Sequence, residues 1–127
     1  MLKKINPTDI APPVNAYNHA FAVSSPAAMM FLSGQLGERP DGTCAKGVEA
    51  QARQAWENVR RILQDGGMGF ENITKVVSYI VGSENIRDYA AVHQELHRDV
   101  LPPWTLVVVQ ALGRPHYVVE IDVIAAA

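Results

Sequence analysis

Apolar positions along the chain recur with two different periods, and each period predicts an element. The helical period is clearest between Val48 and Leu63. Val48, Ala52, Ala55, Trp56, Val59, Ile62 and Leu63 share one stripe, and Glu49, Arg53, Glu57, Arg60, Arg61 and Gln64 cover the rest. Gly66-Gly67 ends the segment. Such a stripe buries against a sheet, with Trp56 as a core residue. A second helix is predicted over about Glu84–Asp99, with Ser83 as its N-cap. On it Ile86, Tyr89, Ala90, His93 and Leu96 face inward.

The other runs alternate with period 2 or are continuously β-branched, as strands do. Ile73–Val81 is one, with Lys75, Val77 and Tyr79 opposed to Thr74, Val76, Ser78 and Ile80. Thr105–Ala111 and Tyr117–Ile124 are two more, joined by a turn at Gly113-Arg114-Pro115. In the last, Val119, Ile121 and Val123 point to one face, which requires a core. Val118, Glu120, Asp122 and Ile124 point to the other. His19–Ser24 and Met29–Gly34, separated by Ser25-Pro26, predict an early antiparallel hairpin. Met1–Asn15 carries Pro7, Pro12 and Pro13 and is expected to be extended and pinned to the domain surface. Gly37 to Gly47 is a turn-rich loop in which Cys44 is incidental.

The order β-β-α-β-α-β-β implies one mixed sheet with both helices on one side, an α+β domain spanning residues 1–127. The uncovered face would expose Val107, Val109 and their neighbours, so oligomerisation is expected.

Composition then narrows the function classes. The chain has 127 residues, enough for one domain with a substantial core. With 48% hydrophobic and 19% charged residues it reads as an ordinary soluble globular domain. A net charge of −2 without a basic cluster argues against nucleic-acid partners. No apolar run approaches the roughly 18–20 residues of a membrane span, and MLKKINPTDI lacks the apolar centre of a signal peptide. A single cysteine cannot form an intrachain disulfide, and a cytoplasmic location is expected.

Few residues could carry chemistry. Glu120 stands mid-strand among apolar neighbours, where a carboxylate is either solvated or paired, or is used as a general acid/base. His93 and His97, four apart on a helix, have a spacing that can hold a metal, yet the HExxH arrangement and a third ligand are missing. The favoured reading makes His93 a hydrogen-bonded inner residue and His97 a surface one, with no metal between them. No Ser/His/Asp order, phosphate-cradling glycine loop or zinc spacing is present.

Several segments, in order, resemble the Rid (YjgF-like) family. They are Ala11-Pro12 with Ala16-Tyr17-Asn18-His19-Ala20, Phe31-Leu32-Ser33-Gly34-Gln35, the helix segment Glu49 to Asn58, Lys75-Val76-Val77 and Val119-Glu120-Ile121. The resemblance covers nearly the whole chain. It implies the chorismate-mutase-like (bacillus-type) α+β fold, assembled as a homotrimer around a barrel of sheets, with small-molecule clefts between subunits. In its deaminase members a glutamate helps water attack an enamine or imine, releasing ammonia without a cofactor, and a cleft arginine binds the substrate carboxylate.

By that resemblance Glu120 is the catalytic carboxylate, and Tyr17, Ser33, Gly34 and Thr105 belong to the binding site. The family's Pro-Ala-Arg-Ser reads here Pro102-Pro103-Trp104-Thr105, so Trp104 takes the arginine position, and His93 takes that of a helix asparagine. Three consequences are open. Arg114 could anchor an anion from the loop. Trp104 and His93 could instead accept a larger, flatter or less acidic ligand. Or Trp104 could simply plug the cleft and stabilise the trimer. The arginine-to-tryptophan change also favours a second function, a non-enzymatic ligand-binding or regulatory protein that keeps the trimer without the chemistry. An endoribonuclease activity, attributed to some members, would need basic residues that do not cluster here.

Overall fold

The strand with the strictest alternation is the hub of the sheet. The computed structural model describes residues 2–127. In chain order the elements are β1 (Leu2–Ile5), β2 (Ala20–Val23), β3 (Met29–Phe31), β4 (Gln35–Leu36), α1 (Val48–Asp65), β5 (Ile73–Val81), α2 (Ile86–His97), β6 (Trp104–Val109) and β7 (Val119–Ala126). β7 runs antiparallel to β5 on one side and to β3 and β4 on the other, and β6 adds to the far edge of β5 in parallel. Val119, Ile121 and Val123 are fully buried under the helices together with Val76 and Ile80. Glu120, Asp122 and Ile124 lie on the opposite, uncovered face.

The expected helix and strand periods hold, and so does the α+β class with two helices on one side of a mixed sheet. α1 buries Ala52, Ala55, Trp56, Val59 and Leu63. It stops where Gly66 N–H bonds back to Ile62 and Leu63 and Gly67 turns to φ 75°, a conformation that suits a residue without Cβ.

Two strand pairings and one helix boundary depart from the sequence reading. β2 does not form a hairpin with β3. It pairs with β1, Leu2 opposite Val23 and Ile5 opposite Ala20, as a separate two-stranded sheet. Residues 2–5 of the proline-rich amino-terminal segment are therefore a strand, while Met1 lies outside the described residues. β6 and β7, consecutive in sequence, are separated by β5, so the Gly113-Arg114-Pro115 loop crosses the end of a strand rather than closing a hairpin. Finally, Ser83 begins a 3-10 turn over Ser83–Asn85 and does not cap α2. Asn85 precedes that helix, and its amide donates to the Val81 carbonyl at 2.8 Å.

Gln51, at the margin of the α1 stripe, is buried to 2% exposure and ties the helix to the β6–β7 loop. Its side-chain amide donates to the His116 carbonyl at 2.8 Å, and its side-chain oxygen accepts from Val118 N–H at 2.9 Å. Gln51→Met keeps the volume but orphans both backbone groups. It is expected to lower stability by about 2 kcal/mol, read as a shift of the urea midpoint at unchanged slope.

Candidate functional site

Glu120 is positioned by a one-residue irregularity. β3 pairs with β7 with Phe31 opposite Ile124, whereas β4 pairs with Gln35 opposite Ile121. Leu32, Ser33 and Gly34 thus oppose only Val123 and Asp122, a bulge of the kind that bends one strand away from its partner. Glu120 folds back over that bulge. A Cβ on Gly34 would sit 2.0 Å from its Oε2, so only glycine leaves space for the carboxylate.

A depression of about 570 Å³ opens here on the uncovered face of the sheet. Ser33, Gly34, Glu120 and Asp122 line it, with Tyr79 directly across the ladder from Glu120, and Val109 and Leu112 form an apolar wall. Among the described residues no lysine, arginine or histidine lines it. Among the polar residues here, sequence reading missed two. Alternation already put Asp122 on the Glu120 face, whereas Tyr79 could be found only from the β5–β7 register.

The other candidates gather elsewhere. Trp104, opposite Val76 in the ladder, points to the helix side of the sheet. Its indole N–H donates to Ser78 Oγ at 3.0 Å, and that hydroxyl is 2.6 Å from Tyr89 Oη. One ring face stacks on His93 at 3.8 Å and 13°. Trp104 and Tyr17 line a second groove of about 290 Å³, between the amino-terminal segment, α2 and the β6 edge, with Asn15, Ile86 and Leu106. His93 is fully buried behind Trp104 and does not line the groove. Thr105 faces the uncovered side, where Lys75 Nζ donates to its hydroxyl at 2.9 Å. Arg114 is exposed in the crossing loop and lines neither hollow.

The histidines correct the sequence reading in two respects. His97 is 1% exposed, not a surface residue, because α2 turns it onto Trp56 at 4.1 Å and Phe70 at 4.9 Å. His93 is interior as expected but not hydrogen-bonded. All four ring nitrogens lack a protein partner among the described residues. Burial holds His97 down to about 4, and burial with the neighbouring His97 holds His93 down to about 2. Both rings are neutral at pH 7. No group of three or more His, Cys, Asp or Glu side chains with metal-binding proximity occurs among the described residues.

Two helices packed on one side of this mixed sheet define a domain of the chorismate-mutase-like α+β type. The chain belongs to the Rid (YjgF-like) family: the model of the family described as endoribonuclease L-PSP matches residues 8–127. A RutC family protein of Aquifex aeolicus is 31% identical over 115 residues, 89% of this chain and 90% of that protein. The RutC family protein YjgH of Escherichia coli is 35% identical over 99 residues, 76% of this chain and 74% of that one. The solved structure of YjgH superposes with a TM-score of 0.71 at 34% identity, covering 87% of this chain and 82% of that one. YyfB of Yersinia pestis, described as a Rid-family protein of unknown function, superposes with a TM-score of 0.89 over 99% of this chain and 98% of its own. At 21% identity that likeness concerns the fold. Among the described residues no helix is long and apolar enough to cross a membrane.

Proposed function

We propose that the protein is a homotrimeric hydrolase of enamines or imines whose active clefts form between subunits. The observation carrying this reading is the seating of the Glu120 carboxylate over Gly34, beside a hollow large enough for a small molecule. Water held by Glu120 would add its oxygen to the imine carbon while the carboxylate takes a proton. That proton passes to nitrogen, the C–N bond breaks, and ammonia leaves a carbonyl product. No cofactor is required by this chemistry.

Assembly is needed because the two hollows lie on opposite sides of one sheet. Glu120, Ser33 and Gly34 face one way, and Trp104 and Tyr17 face the other. Within one chain the sheet stands between them; in a ring, the groove of one subunit can meet the carboxylate of the next. The uncovered face also exposes Phe31 at 70%, Met29 at 50% and Val107 at 37%, an apolar patch that association would bury.

The test combines light scattering with ammonia release from imines generated in situ by an oxidase. Three times the chain mass and a rate above buffer are expected. A monomer, or no acceleration with any imine, would sink the reading. The locked Trp104 favours one alternative, a trimer that binds small ligands without turning them over. Endoribonuclease action has less support, since neither hollow offers a cation to an RNA backbone among the described residues.

A further inference from the structure

We infer that the cleft selects ligands without a carboxylate, namely organic ammonium or iminium ions with an aromatic or alkyl body. This rests on the proposed inter-subunit cleft and names its substrate class. Charge balance carries the inference. Among the described residues, the two hollows contribute two carboxylates, Glu120 and Asp122, and no lysine, arginine or histidine. The carboxylates are two apart on β7 and share its uncovered face. Lys75, on the same face, donates to Thr105 and lies outside the hollow.

An anion in this space would meet two like charges without a counter-charge. Trp104 cannot compensate, because its one N–H is already given to Ser78 and its ring is held against His93. What remains for a ligand is aromatic surface from Trp104, Tyr17 and Tyr79 together with negative charge. That combination recognises organic cations through ring faces and carboxylates. It also suits the chemistry, since the protonated imine is the form whose carbon water attacks. Imines of simple amines therefore fit, and imines of 2-amino acids do not.

The experiment compares two probes with the same body and opposite charge, 2-phenylethylamine and 3-phenylpropionate, titrated into the assembled protein at pH 7 by calorimetry. The ammonium is expected to bind at least tenfold more tightly, and Asp122→Asn to erase most of that preference. Equal or tighter binding of the propionate, or binding of neither, overturns the inference. A second arm measures ammonia release from the imines of 2-phenylethylamine and of phenylalanine, made by an amine oxidase and an amino-acid oxidase. Faster release from the phenylalanine-derived imine overturns the ligand class but sustains the hydrolase. Ammonium-selective binding without ammonia from either imine does the reverse.

Discussion

Glu120→Gln is expected to slow ammonia release by about 10²–10⁴-fold, the usual contribution of a positioned acid/base. Glutamine keeps the length and shape of the side chain but cannot accept a proton from water. The half-buried carboxylate makes no hydrogen bond within the chain among the described residues, so stability and assembly should be unchanged. The loss should fall mainly on kcat, because the group acts on the reacting water, with a smaller rise in KM as one of the two carboxylates beside a cationic ligand is neutralised. Gly34→Ala should act through the same atom. Its methyl would occupy the space 2.0 Å from Oε2 and push a flexible carboxylate aside, costing activity on the order of 10²-fold without unfolding the protein. If wild type turns over imines and both variants remain fully active, Glu120 is not the acid/base. If the protein is only a binder, Glu120→Gln has no turnover to lose.

Acidification below about pH 6.5 should destabilise the protein through its buried histidines. His93 and His97 are buried neutral, with their protonation held down to about 2 and about 4, whereas unfolded histidine titrates near pH 6.5. Below 6.5 the unfolded chain binds protons that the folded one refuses, so stability falls as pH falls. The contribution is complete above pH 6.5. It declines through the window between 6.5 and about 4 for His97, and further down for His93. By pH 4 the His97 share alone is on the order of 3 kcal/mol, at about 1.4 kcal/mol per pH unit. At fixed protein concentration the thermal midpoint should drop by roughly 10 °C between pH 7.5 and pH 4 from this residue. His97→Phe keeps an aromatic ring between Trp56 and Phe70 and removes the titration, so the drop should shrink by about that amount. A variant whose midpoint falls as steeply as wild type would show that the acid sensitivity lies elsewhere.

The same pair marks a limit of pattern reading. Helical spacing put His93 on the inner face of α2, but His97 lies one turn further, where the stripe could have ended. Only the approach of Trp56 and Phe70 from α1 and its following turn buries it. Ser83 carries a related lesson, because a good capping residue yields when the chain needs a 3-10 turn to leave β5.

For the candidate site, the sequence offered candidate residues, and the tertiary structure decided how they group. Glu120, Ser33 and Gly34 stand together as their segments suggested, with Asp122 added by alternation alone. Trp104, Tyr17 and His93 belong to the other side of the sheet, and Arg114 to neither hollow. Which face a side chain takes follows from a period of two residues and can be counted along the chain. Which strand lies beside which depends on contacts between residues far apart in sequence.

The sequence by itself thus determined the two helices, the three long strands, the faces of each and the family. Local period and turn chemistry suffice for these, since both depend on neighbours within a few residues. Tertiary structure alone decided that β5 inserts between β6 and β7, that β2 turns to β1, and that the β3–β4 bulge leaves space over Gly34 for the Glu120 carboxylate. Those outcomes depend on strand pairing and burial across the whole chain, and a one-residue slip in register would send Glu120 into the core.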